Sequence, residues 1–190
     1  TAAGAEGTLN GKLPGYGYDT KDLWEHSLAV AFGSKIIADM KNPTLVNEAY
    51  TSGLIHDVGK IILDGDILEQ KDEIESFMEK EDKTLLDAEN HFFVSNHAEI
   101  AFEVCKKWNF PKSISTAIRG HHHPSNSNSN ELSYILHMSD YIARLGGIGY
   151  DHDDFLYEIE KGTMDYLSLN QEDVSNIVLR VSESVNKISS

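Results

Sequence analysis

Apolar residues recur at three- and four-residue spacing along most of this chain, and no stretch sustains the strict alternation of a half-buried strand. That period predicts helices near residues 20–41, 44–61, 66–80, 84–94, 97–109, 112–122, 131–146 and 171–188, an all-α fold. Residues 28–32 are apolar nearly all round, which puts the first helix at the centre of the packing. Local signals punctuate the pattern. Asn42-Pro43 reads as an N-cap with proline at the first helical position. Asn96 followed by Glu99 resembles a capping box, and Gly146-Gly147 is a helix stop. The Ser/Asn tract at 124–130 reads as a flexible loop. Residues 1–18, rich in small residues, read as an irregular lead-in to one helical domain over 19–190.

Polar residues interrupt the apolar faces at chosen places. His97 shares a stripe with Ile100, Ala101, Val104, Cys105 and Trp108, so it points toward the core. His121 and His122 close the stripe of Ile114, Ala117 and Ile118. Asp140 follows Leu132 and Leu136 at four-residue spacing. Asp57 lies on the face of Ala49, Gly53 and Lys60 with His56 beside it, and Gly53 would let a neighbouring helix approach closely. His26 sits inside the central first helix. A histidine on an apolar face is ordinarily a satisfied core residue. Five helices each carrying such a group share a cheaper explanation, because buried imidazoles and carboxylates are costly unless paired or bound to metal. A mixed His/Asp centre for one or two divalent ions (Fe, Mn, Zn, Ni or Mg) accounts for all of them.

Composition narrows the partners. Sixteen Lys plus Arg against thirty-one Asp plus Glu give a formal charge of −15, which repels nucleic-acid backbones and anionic membranes. Neither is expected as a partner, whereas a small phosphorylated substrate stays admissible because bound metal reverses the local field. A single cysteine excludes an internal disulfide and fits a reducing cytoplasm. The sequence shows neither a membrane span nor the layout of a signal peptide.

At these residues the chain resembles the HD superfamily of metal-dependent phosphohydrolases. The matching segments are Leu23-Trp24-Glu25-His26-Ser27, Gly53-Leu54-Ile55-His56-Asp57-Val58-Gly59-Lys60, Asn96-His97-Ala98-Glu99-Ile100, His121-His122 and Ser139-Asp140. Within the superfamily it is most similar to HDOD domains, through Gly15-Tyr16, Lys107-Trp108-Asn109-Phe110-Pro111 and the HH-x-P ending at Pro124. The resemblance runs from about residue 15 to the last helix and corresponds to the C-terminal portion of a full HDOD domain. His123 and the Ser/Asn tract stand where HD-GYP phosphodiesterases carry Glu and Gly-Tyr-Pro, which separates the chain from those enzymes.

The resemblance implies an HD-type helical bundle with a central metal site. In it His26, His56, Asp57 and Asp140 would hold one ion and His97, His121 and His122 a second, with Asp57 bridging. The implied activity is hydrolysis of a phosphorylated small molecule or nucleotide in bacterial signalling, with Asp57 and Lys60 as catalytic residues. Many HDOD proteins resemble instead non-catalytic signalling modules, in which a structural metal supports contacts with a protein partner. Some HD-type proteins use two irons to activate oxygen, a third course. Lys60 reads equally as a solvated lysine near a helix end. Asp22 is a candidate acceptor behind the ligands or a third-metal ligand, and more simply a surface carboxylate. His123 is a candidate for the substrate rim. His137 lies off its stripe, His91 has no evident partner, and His152 stands among Asp151, Asp153 and Asp154 in solvent. Cys105 reads as a core thiol, and Trp24 and Trp108 as core anchors.

Overall fold

The first helix behaves as its uniform apolarity requires. The structure, a computed structural model, describes residues 11–149 and 158–189. Helix α1 (Thr20–Lys41) buries Leu28, Ala29, Val30, Ala31, Ile37 and Ala38. It begins where the Asp22 carboxylate accepts the Asp19 N–H at 2.9 Å and ends where the Asn42 N–H reaches Ala38 O at 2.8 Å. Three helices pack on it: α2 (Val46–Ile55), α8 (Glu131–Leu145) and α10 (Gln171–Ser189). Between α2 and α8 run α3 (Val58–Glu69), α4 (Lys71–Glu81), α5 (Leu85–Phe92), α6 (His97–Lys107) and α7 (Lys112–Arg119); the short α9 (Thr163–Tyr166) precedes α10. The fold is an all-α bundle. Among the described residues no helix is long and apolar enough to cross a membrane.

Several expectations are corrected. Residues 44–61 are not one helix. A 3-10 turn, Pro43–Leu45, leads into α2, and the chain breaks at His56-Asp57 before α3. The cause is local: Gly53 O, which a continuous helix would offer to the Asp57 N–H, takes a hydrogen bond from His56 Nδ1 at 2.8 Å. The same device shortens the helix expected over 112–122. His121 Nδ1 bonds Ile118 O at 2.6 Å, and α7 stops at Arg119. The helix expected over 66–80 divides at Gln70 into the end of α3 and α4. The Ser/Asn tract contains a 3-10 turn, Pro124–Ser127, closed by Ser127 Oγ on Pro124 O at 2.6 Å. Part of the lead-in is regular as well: Lys12–Leu13 (β1) pairs antiparallel with Tyr18–Asp19 (β2), and Tyr16 in their turn is buried. Trp24 and Trp108 are not core anchors, being 44% and 63% exposed. The acidic stretch around His152 lies outside the described residues.

Two glycines set how tightly the helices close. A Cβ on Gly53 would lie 2.6 Å from the Ala31 backbone in α1, and one on Gly59 would lie 1.9 Å from His97 O in α6. Backbone meets backbone at both places, so no side-chain rotation could relieve a substitution. A second, smaller apolar cluster joins the hairpin to α3, α4 and α5 through Leu13, Tyr16, Leu63, Ile67, Ile74 and Ala88.

Candidate metal centre

The folding rules just described aim the imidazoles. His56 and His121 each turn Nδ1 back onto the last turn of their own helix, so the Nδ1 proton is committed to a carbonyl and Nε2 is left as a lone pair. His26, from α1, places Nδ1 at 3.4 Å from Ile148 O and Nε2 at 2.9 Å from Asp140 Oδ1. Asp140, from α8, is held on the same oxygen by Arg144 Nε at 3.1 Å. Asp57 fills the break between α2 and α3. Its Oδ2 accepts from Lys60 Nζ at 2.7 Å and lies 3.4 Å from His56 Nε2. Its Oδ1 is 3.4 Å from His97 Nε2 and 3.8 Å from His121 Nε2. His97 Nε2 and His122 Nε2 approach to 2.8 Å.

The structure therefore brings together His26, His56, Asp57, His97, His121, His122 and Asp140. Their donor atoms fall into three compact groups: His26 with His56 and Asp140, His97 with His121 and His122, and Asp57 with His56 and His121. All are buried except His122, which is half-buried. Lys60 is buried beside Asp57, so it is not a solvated lysine. Asp22 is not among the group, since its carboxylate caps α1. His123 stands exposed, its Nδ1 3.7 Å from Glu160 Oε2. Beside it His122 forms part of the wall of a cleft of about 1060 Å³ between α6 and α7, which Phe102, Lys106 and Arg119 also line. His137 stays behind the cluster, bonding His121 O at 2.7 Å and accepting the Glu160 N–H at 2.9 Å. His91 stacks on Phe77.

Electrostatics favour ligand-ready forms. Burial pushes His56 down to about 4, so it is neutral at physiological pH. Burial first, and neighbouring imidazoles next, hold His121 and His122 well below the ordinary histidine value. For Asp57 burial acts upward, and the facing His56 edge and Lys60 ammonium outweigh it, leaving the carboxyl well below its usual range. Asp140 is likewise low: burial raises it, while Arg144 and His26 more than compensate.

A divalent ion fits these residues. Among the described residues, His56 Nε2, His121 Nε2 and Asp140 Oδ2 are buried with no hydrogen-bond partner. Each such atom costs about 1–3 kcal/mol if left bare. Neutral imidazole nitrogens mixed with carboxylate oxygens suit iron, manganese, zinc or nickel. His97 Nε2 and His122 Nε2 are at hydrogen-bond distance, 2.8 Å, and with His121 these histidines form one compact group of donor atoms.

Sequence comparison now adds to the geometry. The profile of the HDOD domain matches residues 1–124, about two thirds of the chain. The chain belongs to the HDOD family. HDOD domains are related to the HD phosphohydrolases, and the match takes in the hairpin lead-in and ends at Pro124. Three solved structures share the HDOD fold seen here. An HDOD domain protein of unknown function from Geobacter sulfurreducens is 25% identical over 90% of this chain, with a TM-score of 0.65. A candidate phosphohydrolase from Shewanella amazonensis is 20% identical over 88%, with a TM-score of 0.67. A candidate signal transduction protein from Marinobacter aquaeolei is 19% identical over 87%, with a TM-score of 0.69. The chain spans 61%, 61% and 37% of those three proteins. No protein of curated function matches it.

Sequence reasoning passed over Glu89. It is buried, with Oε2 2.6 Å from His97 Nδ1 and Oε1 accepting from Tyr16 OH at 2.9 Å. A signal was present: Glu89 shares the i, i+3, i+4, i+7 stripe of Leu85, Ala88 and Phe92, the same reasoning that singled out His97. Arg144 was legible too, four residues after Asp140 on one helix face.

Proposed function

We propose that this HDOD domain is a metal-dependent phosphohydrolase or phosphodiesterase acting on a nucleotide or another small phosphorylated molecule in bacterial signal transduction. On this reading His26, His56, Asp57 and Asp140 hold one ion and His97, His121 and His122 a second, with Asp57 bridging. Bound there, the ions would supply an acidified water as nucleophile and a clamp for phosphoryl oxygens. The observation that carries the reading is His122, which belongs both to a donor group and to the wall of the cleft. A substrate in that cleft would reach the cluster through this residue.

The chain's own residues prepare the chemistry. Carbonyls of Gly53 and Ile118 keep the Nε2 lone pairs of His56 and His121 on the cluster. Lys60 holds Asp57 as an anion, and its charge lowers the cost of negative charge building up on a nearby phosphoryl group. His123 is exposed and lines the same cleft, which supports a position at its rim near the substrate.

A second reading has its own support. Apart from His122 the donor residues are buried, as in structural sites that keep no open position. The domain would then be a non-catalytic module whose surface recruits a signalling protein. Elemental analysis of protein purified without added metal, followed by a screen of phosphomonoesters, phosphodiesters and nucleotides with the metal found, tests both. Turnover that disappears in Asp57→Ala is the expected result. Bound metal with no turnover of any substrate would favour the recruiting module, and a folded protein that takes up no metal would overturn both.

A further inference from the structure

We propose that Glu89 is a positioning residue that, backed by Tyr16, holds the proton of His97 on Nδ1 and presents its Nε2 to the cluster as a lone pair. The inference rests on the metal-centre reading and adds to it a residue outside the donor set. One carboxylate oxygen does two things. Glu89 Oε2 accepts the His97 backbone N–H at 2.8 Å and lies 2.6 Å from the His97 ring nitrogen Nδ1. Anchoring main chain and ring of one residue to one atom fixes both the position and the rotation of the imidazole. The backbone N–H is an orphan donor of the first turn of α6, where a carboxylate is also favoured by the helix dipole.

The other oxygen is tied down separately. Glu89 Oε1 accepts from Tyr16 OH, so neither oxygen is left to drift. Tyr16 is itself held by its turn: Asp64 Oδ1 in α3 accepts from Gly15 N at 2.9 Å and Tyr16 N at 3.3 Å. A Cβ on Gly15 would fall 2.2 Å from Asp64 O, so the turn lies directly against α3. The contacts run in sequence from Asp64 through Tyr16 and Glu89 to His97. A packing role does not explain a carboxylate here. Burying one on the stripe of Leu85, Ala88 and Phe92 is costly, and charge-assisted hydrogen bonds offset that cost only if the acceptor is ionised.

The choice between Glu and Gln discriminates. A carboxylate can only accept from His97, which forces the proton onto Nδ1. A glutamine amide can accept through oxygen, as a neutral and weaker acceptor, or donate through nitrogen at the expense of the His97 backbone N–H contact. The second arrangement turns a protonated Nε2 toward the cluster. In metal-free protein near neutral pH, nitrogen-15 NMR of the imidazoles should show His97 as the Nδ1–H tautomer in the parent and a mixture in Glu89→Gln. Zinc affinity, measured by competition with a chelator, should fall about 10- to 100-fold in Glu89→Gln. Tyr16→Phe should fall by less and keep the parent tautomer. A parent carrying the Nε2–H tautomer would overturn the proposal. So would Glu89→Gln with parental tautomer and parental zinc affinity. A parent that binds no zinc would sink the metal reading instead, and the tautomer result would still decide the role of Glu89. If Glu89→Gln does not fold, Tyr16→Phe carries the affinity test, and no weakening there would overturn the positioning of His97 by Glu89 backed by Tyr16.

Discussion

The group of His26, His56 and Asp140 and the group of His97, His121 and His122 meet at Asp57, yet they are built differently. In the first, every member is buried, and orientation comes from the carbonyls of Gly53 and Ile148 and from Arg144. In the second, His121 is set by the Ile118 carbonyl, His97 by the Glu89 carboxylate, and His122 is half-buried at the cleft. The closed group is buried throughout and is oriented by two main-chain carbonyls and one arginine. The cleft-facing group combines a half-buried donor, His122, with a carboxylate, that of Glu89, behind another donor, His97.

Breaking the shared member should have the largest effect. Asp57→Ala removes the carboxylate that stands between the two groups and deprives the buried Lys60 of the oxygen 2.7 Å away. Elemental analysis should find both groups depleted, and urea unfolding should show a loss of about 3–5 kcal/mol. Metal retained at parental level would refute the bridging role.

Acid should weaken the closed group next. His56 in the folded protein titrates near 4, below its unfolded value of 6.5, so the unfolded state binds the proton first as pH falls. Stability of metal-free protein is thus unaffected above that window and is lost between pH 6.5 and 4, by roughly 3 kcal/mol for His56 alone. His121 and His122 shift in the same direction and add to the loss. The depressed Asp57 and Asp140 work further down: their stabilisation is present above the unfolded carboxyl value and is lost as pH falls through the lower folded values. Urea midpoints across this range, compared with His56→Gln, check the slope. An equal acid loss in the variant would assign it elsewhere.

Separate lesions should tell the groups apart. Asp140→Asn weakens charge-assisted bonds to His26 and Arg144 and should cost about 2 kcal/mol. His122→Ala, at the cleft, should cost about half as much on its burial alone. Each is expected to reduce metal content only in its own group; equal and complete loss from both variants would merge the two groups into one site.

The smallest effect is expected at Asp22. Asp22→Ala removes a cap from α1 and should lower stability by about 0.5 kcal/mol with metal content unchanged. A drop in bound metal would restore Asp22 to the site.

The fold class and the donor residues were legible because both depend on short-range order. Helical period put His97, His121 and Asp140 on core-facing stripes, and Gly53 announced a close approach that α1 indeed makes. Helix ends were less legible. His56 and His121 stop their helices by bonding carbonyls three residues back, a competition between side chain and main chain that residue type alone does not decide. The tryptophans misled for the opposite reason, since size argued for burial while their faces turned outward.

By itself, then, the sequence determined an all-helical chain and a set of imidazoles and carboxylates facing its interior, because period and residue chemistry are written locally. Tertiary structure alone decided which of them meet. Glu89 and His97 stand on different helices, and Tyr16 reaches them from a hairpin turn 73 residues before Glu89. Such contacts depend on how closely backbones pack at Gly53 and Gly59, a sum over the whole bundle that no single stretch of chain carries.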